Sequence, residues 1–216
     1  MKKSNAWKLN VALTALGLLV ACGDGGDLDA VAEGDEVAVS EETATQAGLT
    51  FSPLSDSGDV VAYVDLTRYV GEWFEIATTP SRQQSVCSGT KAIYAAGDDG
   101  RIAVTNQCNQ GSLDGRLQQV EGFAEVVDAE TNAKLEVTFF GFSAPYWVIA
   151  LDGRDDGEPY AWAVVSGPAD DSLWLLSRTA QISEDDRTVI EAHLQERGID
   201  TSRWLNTEQP TNEQGD

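Results

Sequence analysis

Apart from carboxylates, few side chains in this sequence could act as nucleophile, proton carrier or metal ligand. Its only thiols and imidazole are Cys22, Cys87, Cys108 and the single histidine, His193. Thiols with one imidazole make a poor set for zinc, whose structural sites take four nitrogen or sulfur ligands. No GxSxG string is present to raise a serine on a nucleophile elbow, and His193 falls in a segment that reads as a surface helix. The 36 Asp and Glu against 14 Lys and Arg give a formal charge of −22, so paired carboxylates carry little information. The same charge argues against nucleic acid, which needs a basic footprint, and against attraction to anionic headgroups. No cofactor and no metal are expected. What remains is apolar chemistry: 42% hydrophobic residues, with six Trp, five Tyr and six Phe. Such side chains work by removing apolar surface from water, about 25 cal/mol per Å².

The N-terminus reads as a targeting segment. Lys2, Lys3 and Lys8 precede an apolar run over 11–21 that is too short to span a membrane convincingly. A plain secretory signal would also end in small residues. Here, however, a cysteine follows Leu19-Val20-Ala21, and LVAC resembles the lipobox of bacterial lipoproteins. That reading makes 1–21 a signal peptide and Cys22 the lipidated first residue. Gly23 at the next position points to the outer membrane, with the protein on its periplasmic side. With Cys22 lipidated, Cys87 and Cys108 remain, and an exported pair is expected to form a disulfide. Metal binding and redox switching are the alternatives. Residues 23–59 are acidic, contain no Lys or Arg and lack sustained periodicity. Residues 22–59 therefore read as a disordered tether, and 208–216 as a disordered tail. The folded domain is expected over 60–207.

Within it, eight segments rich in β-branched and aromatic residues alternate with turn signals. They are EWFEIATT (72–79), TKAIYAA (90–96), RIAVTNQC (101–108), LQQVEGFAEVV (117–127), AKLEVTFF (133–140), YWVIALD (146–152), YAWAVVS (160–166) and SLWLLSR (172–178). The strings DDG, LDG, ETN, SAP and GPADD read as the gaps between them. An all-β sandwich or barrel follows. Alternation assigns the faces: Leu135, Val137 and Phe139 oppose Lys134, Glu136 and Thr138, so the apolar three point inward. Ile102, Val104 and Asn106 alternate with Arg101, Ala103 and Thr105, and Gly122 and Ala124 look small enough to leave room inside. YWVIALD and YAWAVVS are apolar on both faces, so their outward aromatics should meet a helix or a partner subunit in a homodimer. One helix follows, with Ser183 as N-cap, acidic Glu184, Asp185 and Asp186 in its first turn, Ile190 and Leu194 on its apolar stripe and Gly198 beyond its end. TSRWLNT could add a last strand or lie along the barrel.

VDLTRYVGEWFEIATTP, centred on Gly71-Glu72-Trp73, resembles the first signature of the lipocalin family, and LWLLSRTA, ending around Arg178, resembles the last. DGRIAVTNQC, EGFAEV, AKLEVTFFGF and YWVIALD are similar to the bacterial and apolipoprotein D-like branch. The resemblance spans about 60–207 and implies an eight-stranded antiparallel up-and-down barrel with one C-terminal α-helix packed outside. It implies that Trp73 and Arg178 stack at the closed end, with Gly71 allowing close backbone approach. Cys87 and Cys108, flanking the hairpin around 98–100, would pin the second and third strands. It further implies a ligand cavity entered at the open end, lined by Trp174, Phe139, Val137, Leu135, Tyr146 and Val104. The expectation is a membrane-anchored, non-enzymatic protein that stores or transports a small hydrophobic ligand, a fatty acid or lysophospholipid. The alternatives are a lipocalin-fold enzyme acting on a lipid or isoprenoid, and an envelope scaffold that binds nothing.

Overall fold

The computed structural model describes residues 48–79, 87–97, 99–168 and 172–211. The expected signal segment, Cys22, the tether as far as residue 47 and the last five residues lie outside them.

Eight antiparallel strands close into a barrel: β1 (Gly71–Thr78), β2 (Cys87–Ala96), β3 (Ile102–Gln110), β4 (Leu117–Val126), β5 (Lys134–Phe139), β6 (Phe142–Leu151), β7 (Trp162–Ser166) and β8 (Leu173–Ser177). Each pairs with its successor, and β1 pairs with both β8 and β2. A single helical turn, α1 (Leu66–Tyr69), precedes the barrel. A longer helix, α2 (Glu184–Glu196), and a short strand, β9 (Leu205–Asn206), follow it. β9 lies beside β1, with Ala77 opposite Asn206.

The expected eight strands and their inward parity hold, with one displaced turn. SAP lies inside β6 rather than between strands, and the β5–β6 reversal is Phe140-Gly141. Both residues have positive φ, 52° and 80°, between the paired Phe139 and Phe142, which is a two-residue type I′ hairpin. Pro145 is tolerated within the strand because pairing of β6 with β7 begins only at Trp147. Its missing N–H therefore costs no ladder bond on that side.

The interior splits into two clusters. One lies inside the barrel's closed half around Trp73, Tyr69, Tyr94, Leu135 and Val148. The other lies outside the wall, where Ile149, Trp162 and Val164 pack under Ile190 and Leu194 of α2 and against Trp204. The helix thus covers the outward apolar face of β6 and β7. Ser183 caps it, its Oγ accepting from the Asp186 N–H at 3.0 Å.

The domain's edges lie beyond the expected 60–207. Phe51, assigned to the tether, packs edge-on to Trp162 at 5.1 Å and stacks on His193 at 4.1 Å. Its segment is held by the Ser52 N–H donating to the Leu151 carbonyl at 2.9 Å. His193 is accordingly half-buried rather than a free surface residue, and burial lowers its pKa. At the other end, residues 207–209 enter the wall between the upper halves of β1 and β2. Thr207 N–H donates to Ile76 and Gly89 N–H donates to Glu208, at 3.0 and 2.7 Å. Gln209 Nε2 donates to the carbonyls of both Glu75 and Thr90 at 2.8 Å. The polar composition of both terminal segments hid this, because their order comes from partners far away in sequence.

Candidate functional site

The closed end is organised by one cation. The Arg178 guanidinium lies 3.9 Å from the centre of the Trp73 ring. Its Nη2 donates to the carbonyls of Arg68, Tyr69 and Val70 at 2.9, 3.0 and 2.9 Å, Nη1 to Glu72 at 2.7 Å and Nε to Tyr160 at 3.1 Å. These carbonyls include those left unpaired at the end of α1, where a basic side chain is favoured. Trp73 Nε1 donates to the Tyr69 carbonyl at 2.8 Å. Gly71 has φ 108°, and a Cβ there would sit 2.9 Å from Arg178 Nη1. Only glycine combines that backbone with that proximity. Desolvation lowers the guanidinium's pKa from its usual value, and its hydrogen bonds offset the cost of burial.

The opposite end opens into a cavity of about 580 Å³. Trp174 of β8, Phe139 and Val137 of β5, Tyr146 of β6 and Val104 of β3 all line it. Leu135 does not. It lies four residues deeper on β5 than Phe139, about 13 Å at the usual rise per residue, and is buried in the closed-end cluster. Gly122 does not leave room for a ligand either, since a Cβ there would meet Phe139 Cδ1 at 2.6 Å. The space is already taken by the Phe139 ring. Cys87 and Cys108 form a disulfide across β2 and β3, Cα atoms 5.4 Å apart, and both border the cavity.

Several lining residues were not expected. Tyr94, Ala92, Thr90, Leu176 and Glu75 contribute to the wall. Glu75 is the charged residue among them. Parity with Trp73 two residues earlier would have placed it inward. It is buried, and its Oε1 accepts from Thr207 Oγ1 at 2.6 Å. Among the described lining residues no histidine accompanies it. Among the described residues no group of three or more His, Cys, Asp or Glu is arranged for a metal ion.

Two groups of polar atoms stand in or beneath the cavity. Asn106 Oδ1 and Thr90 Oγ1 are buried without a hydrogen-bond partner. Three phenols form a linked group at its floor: Tyr94 donates to Tyr146 at 3.0 Å, and Tyr69 and Tyr146 oxygens lie 2.7 Å apart. Burial pushes the Tyr94 pKa up to about 12 and raises those of Tyr69 and Tyr146, so all three stay protonated at neutral pH. At the rim, Phe140 and Phe142 are 79% and 82% exposed.

A closed up-and-down barrel, sealed below by a Trp–Arg stack and open above onto an apolar cavity, defines a lipocalin. Residues 64–209 match the lipocalin-like domain family, and the chain belongs to it. It is 39% identical over 152 residues to outer membrane lipoprotein Blc of Escherichia coli, covering 70% of this chain and 82% of that one. It is 34% identical over 160 residues to the Vibrio cholerae protein of the same name, covering 72% and 89%. Apolipoprotein D of Mus musculus is 32% identical over 149 residues, covering 67% and 77%. Among solved structures, insecticyanin from the tobacco hornworm Manduca sexta shares the fold, with a TM-score of 0.56 at 22% identity, covering 76% of this chain and 90% of that one.

Proposed function

We propose that this lipocalin holds a fatty acid or lysophospholipid in its barrel and stores or carries it in the bacterial cell envelope. The observation that carries the reading is the apolar cavity of about 580 Å³ with aromatic walls and one open end. Each buried methylene contributes about 0.8 kcal/mol. Fourteen of them therefore supply on the order of 11 kcal/mol, enough to offset much of the roughly 4–15 kcal/mol lost on association. A long acyl chain is thus needed, with its head left at the mouth. The LVAC string supports lipidation at Cys22 after removal of 1–21, as does the name of the Escherichia coli and Vibrio cholerae relatives, outer membrane lipoprotein. The acidic residues that follow would hold the barrel off the membrane on the periplasmic side.

The test is a titration of the chain lacking its first 22 residues with fatty acids and lysophospholipids, followed by tryptophan fluorescence. Saturation at micromolar ligand is expected, with weaker binding by Trp174→Ala in a displacement assay. A flat response to both classes in folded protein would sink the reading.

A further inference from the structure

The phenols at the cavity floor leave one proton unspent. Tyr94 spends its proton on Tyr146. The bond between Tyr69 and Tyr146 can run either way. If Tyr146 donates, the Tyr69 proton is stranded: Tyr69 is buried, and its hydroxyl meets no other acceptor among the described residues. A buried donor without a partner is costly. The favoured arrangement has Tyr69 and Tyr94 both donating to Tyr146, which fills its two lone pairs. The Tyr146 hydroxyl then has its own proton left to give. Tyr146 borders the cavity, four residues and about 13 Å below Phe142 at the rim hairpin.

The acceptor that meets this proton should be neutral. Lys91 is the one basic residue among the described lining residues, and its Nζ is engaged elsewhere, 4.6 Å from the Phe74 ring centre and 3.3 Å from Glu72 Oε1. Glu75, a buried carboxylate, borders the same space. An anion at the floor would meet no counterion, and burying an unpaired charge is strongly unfavourable.

We infer that Tyr146 is a specificity residue, donating a hydrogen bond to a neutral oxygen on the end of the ligand that enters first. The ligand class is an elongated apolar molecule oxygenated at its inner end, such as an acyl chain bearing a terminal keto or hydroxyl group. This rests on the cavity-binding reading above and adds a requirement to it.

The experiment compares octadecanoic acid with 17-oxo-octadecanoic acid, which share head and length, on the full chain lacking only its first 22 residues. In an apolar floor without a donor, the buried ketone would bind about ten-fold more weakly than its parent. With Tyr146 donating, the oxo acid binds at least as tightly as octadecanoic acid. Tyr146→Phe should weaken the oxo acid about ten-fold more than it weakens the parent acid, while Tyr94→Phe keeps the preference. Should Tyr146→Phe fail to fold, the ¹³C shift of the labelled ketone in the unaltered protein reports the same bond by moving downfield from its value in hydrocarbon. An oxo acid that binds more weakly than its parent, a variant that weakens both acids alike, or a hydrocarbon-like ketone shift overturns the inference. If neither acid binds, the fatty-acid reading falls and this one with it.

Discussion

The two ends of the barrel are made by the same eight strands but treat polar atoms differently. At the closed end, the Arg178 guanidinium answers five backbone carbonyls, and Trp73 Nε1 donates to one of the same five, that of Tyr69. At the open half, Asn106 Oδ1 and Thr90 Oγ1 are buried and unmatched, and two phenylalanines stand exposed at the rim. Unmatched buried groups cost stability unless something later satisfies them. The difference separates the labour: one end closes and stabilises the wall, the other leaves interactions for a guest.

Trp73→Ala should break the closed end most severely. Removing a fully buried indole costs about 3–5 kcal/mol, read as a fall in the urea midpoint. A loss under 1 kcal/mol would mean the seal is not the anchor. Removing the Cys87–Cys108 bridge by double substitution to Ser should cost about 3 kcal/mol, from a sequence separation of 21. If that loss exceeds the one for Trp73→Ala, stability is not concentrated at the closed end.

Trp174→Ala sharpens the contrast from the other side. Affinity for a long-chain lipid should fall about ten-fold, since burying such a side chain against a guest contributes at least 1.4 kcal/mol. The unfolding midpoint of the empty protein should barely move. Phe140→Gly at the rim should raise stability by about 0.5 kcal/mol. Left-handed backbone costs a side chain roughly 1–2 kcal/mol, and glycine's extra freedom when unfolded returns about 0.5–1 kcal/mol of that. A destabilised Phe140→Gly would show that the exposed ring makes contacts that matter for folding.

The smallest effect concerns the segment that precedes the barrel. Asp59 accepts from Lys134 Nζ at 2.7 Å, and that hydrogen bond is the main reason its pKa is lowered from 3.8 to about 2. The folded value lies below the unfolded one, so the contribution is fully present above about pH 4. It is lost as pH falls toward 2. Asp59→Asn should flatten the acid limb of the stability curve over that window. An unchanged slope would remove the ion pair from the account.

Much of this was legible in advance because strands alternate. AKLEVTFF, RIAVTNQC and the pair of signatures around Trp73 and Arg178 declare inward and outward faces residue by residue. Alternation supplies the all-β class and the inward faces; the resemblance to the lipocalin signatures adds the barrel, the Trp73–Arg178 stack and the expected lining, five of whose six positions border the cavity, and the exported cysteine pair adds the disulfide. The sixth, Leu135, failed because parity gives a residue's face but not its height along the strand. Glu75 carries no such sign, because a charged residue on the inward face of β1 is visible only through its parity with Trp73. SAP was read as a turn because proline's preference was weighed without knowing which strand edge stood unpaired.

The sequence by itself determined the all-β class and the strand count, since these follow from local periodicity, and the resemblance of its two signatures to the lipocalin family implied the barrel and the closed-end seal. Only the tertiary structure decided where the domain's edges lie, how deep the cavity reaches and which polar atoms face it. Those depend on partners brought together from distant parts of the chain: Gln209 on Glu75 and Thr90, Phe51 on His193, and three tyrosines from α1, β2 and β6 meeting at one oxygen.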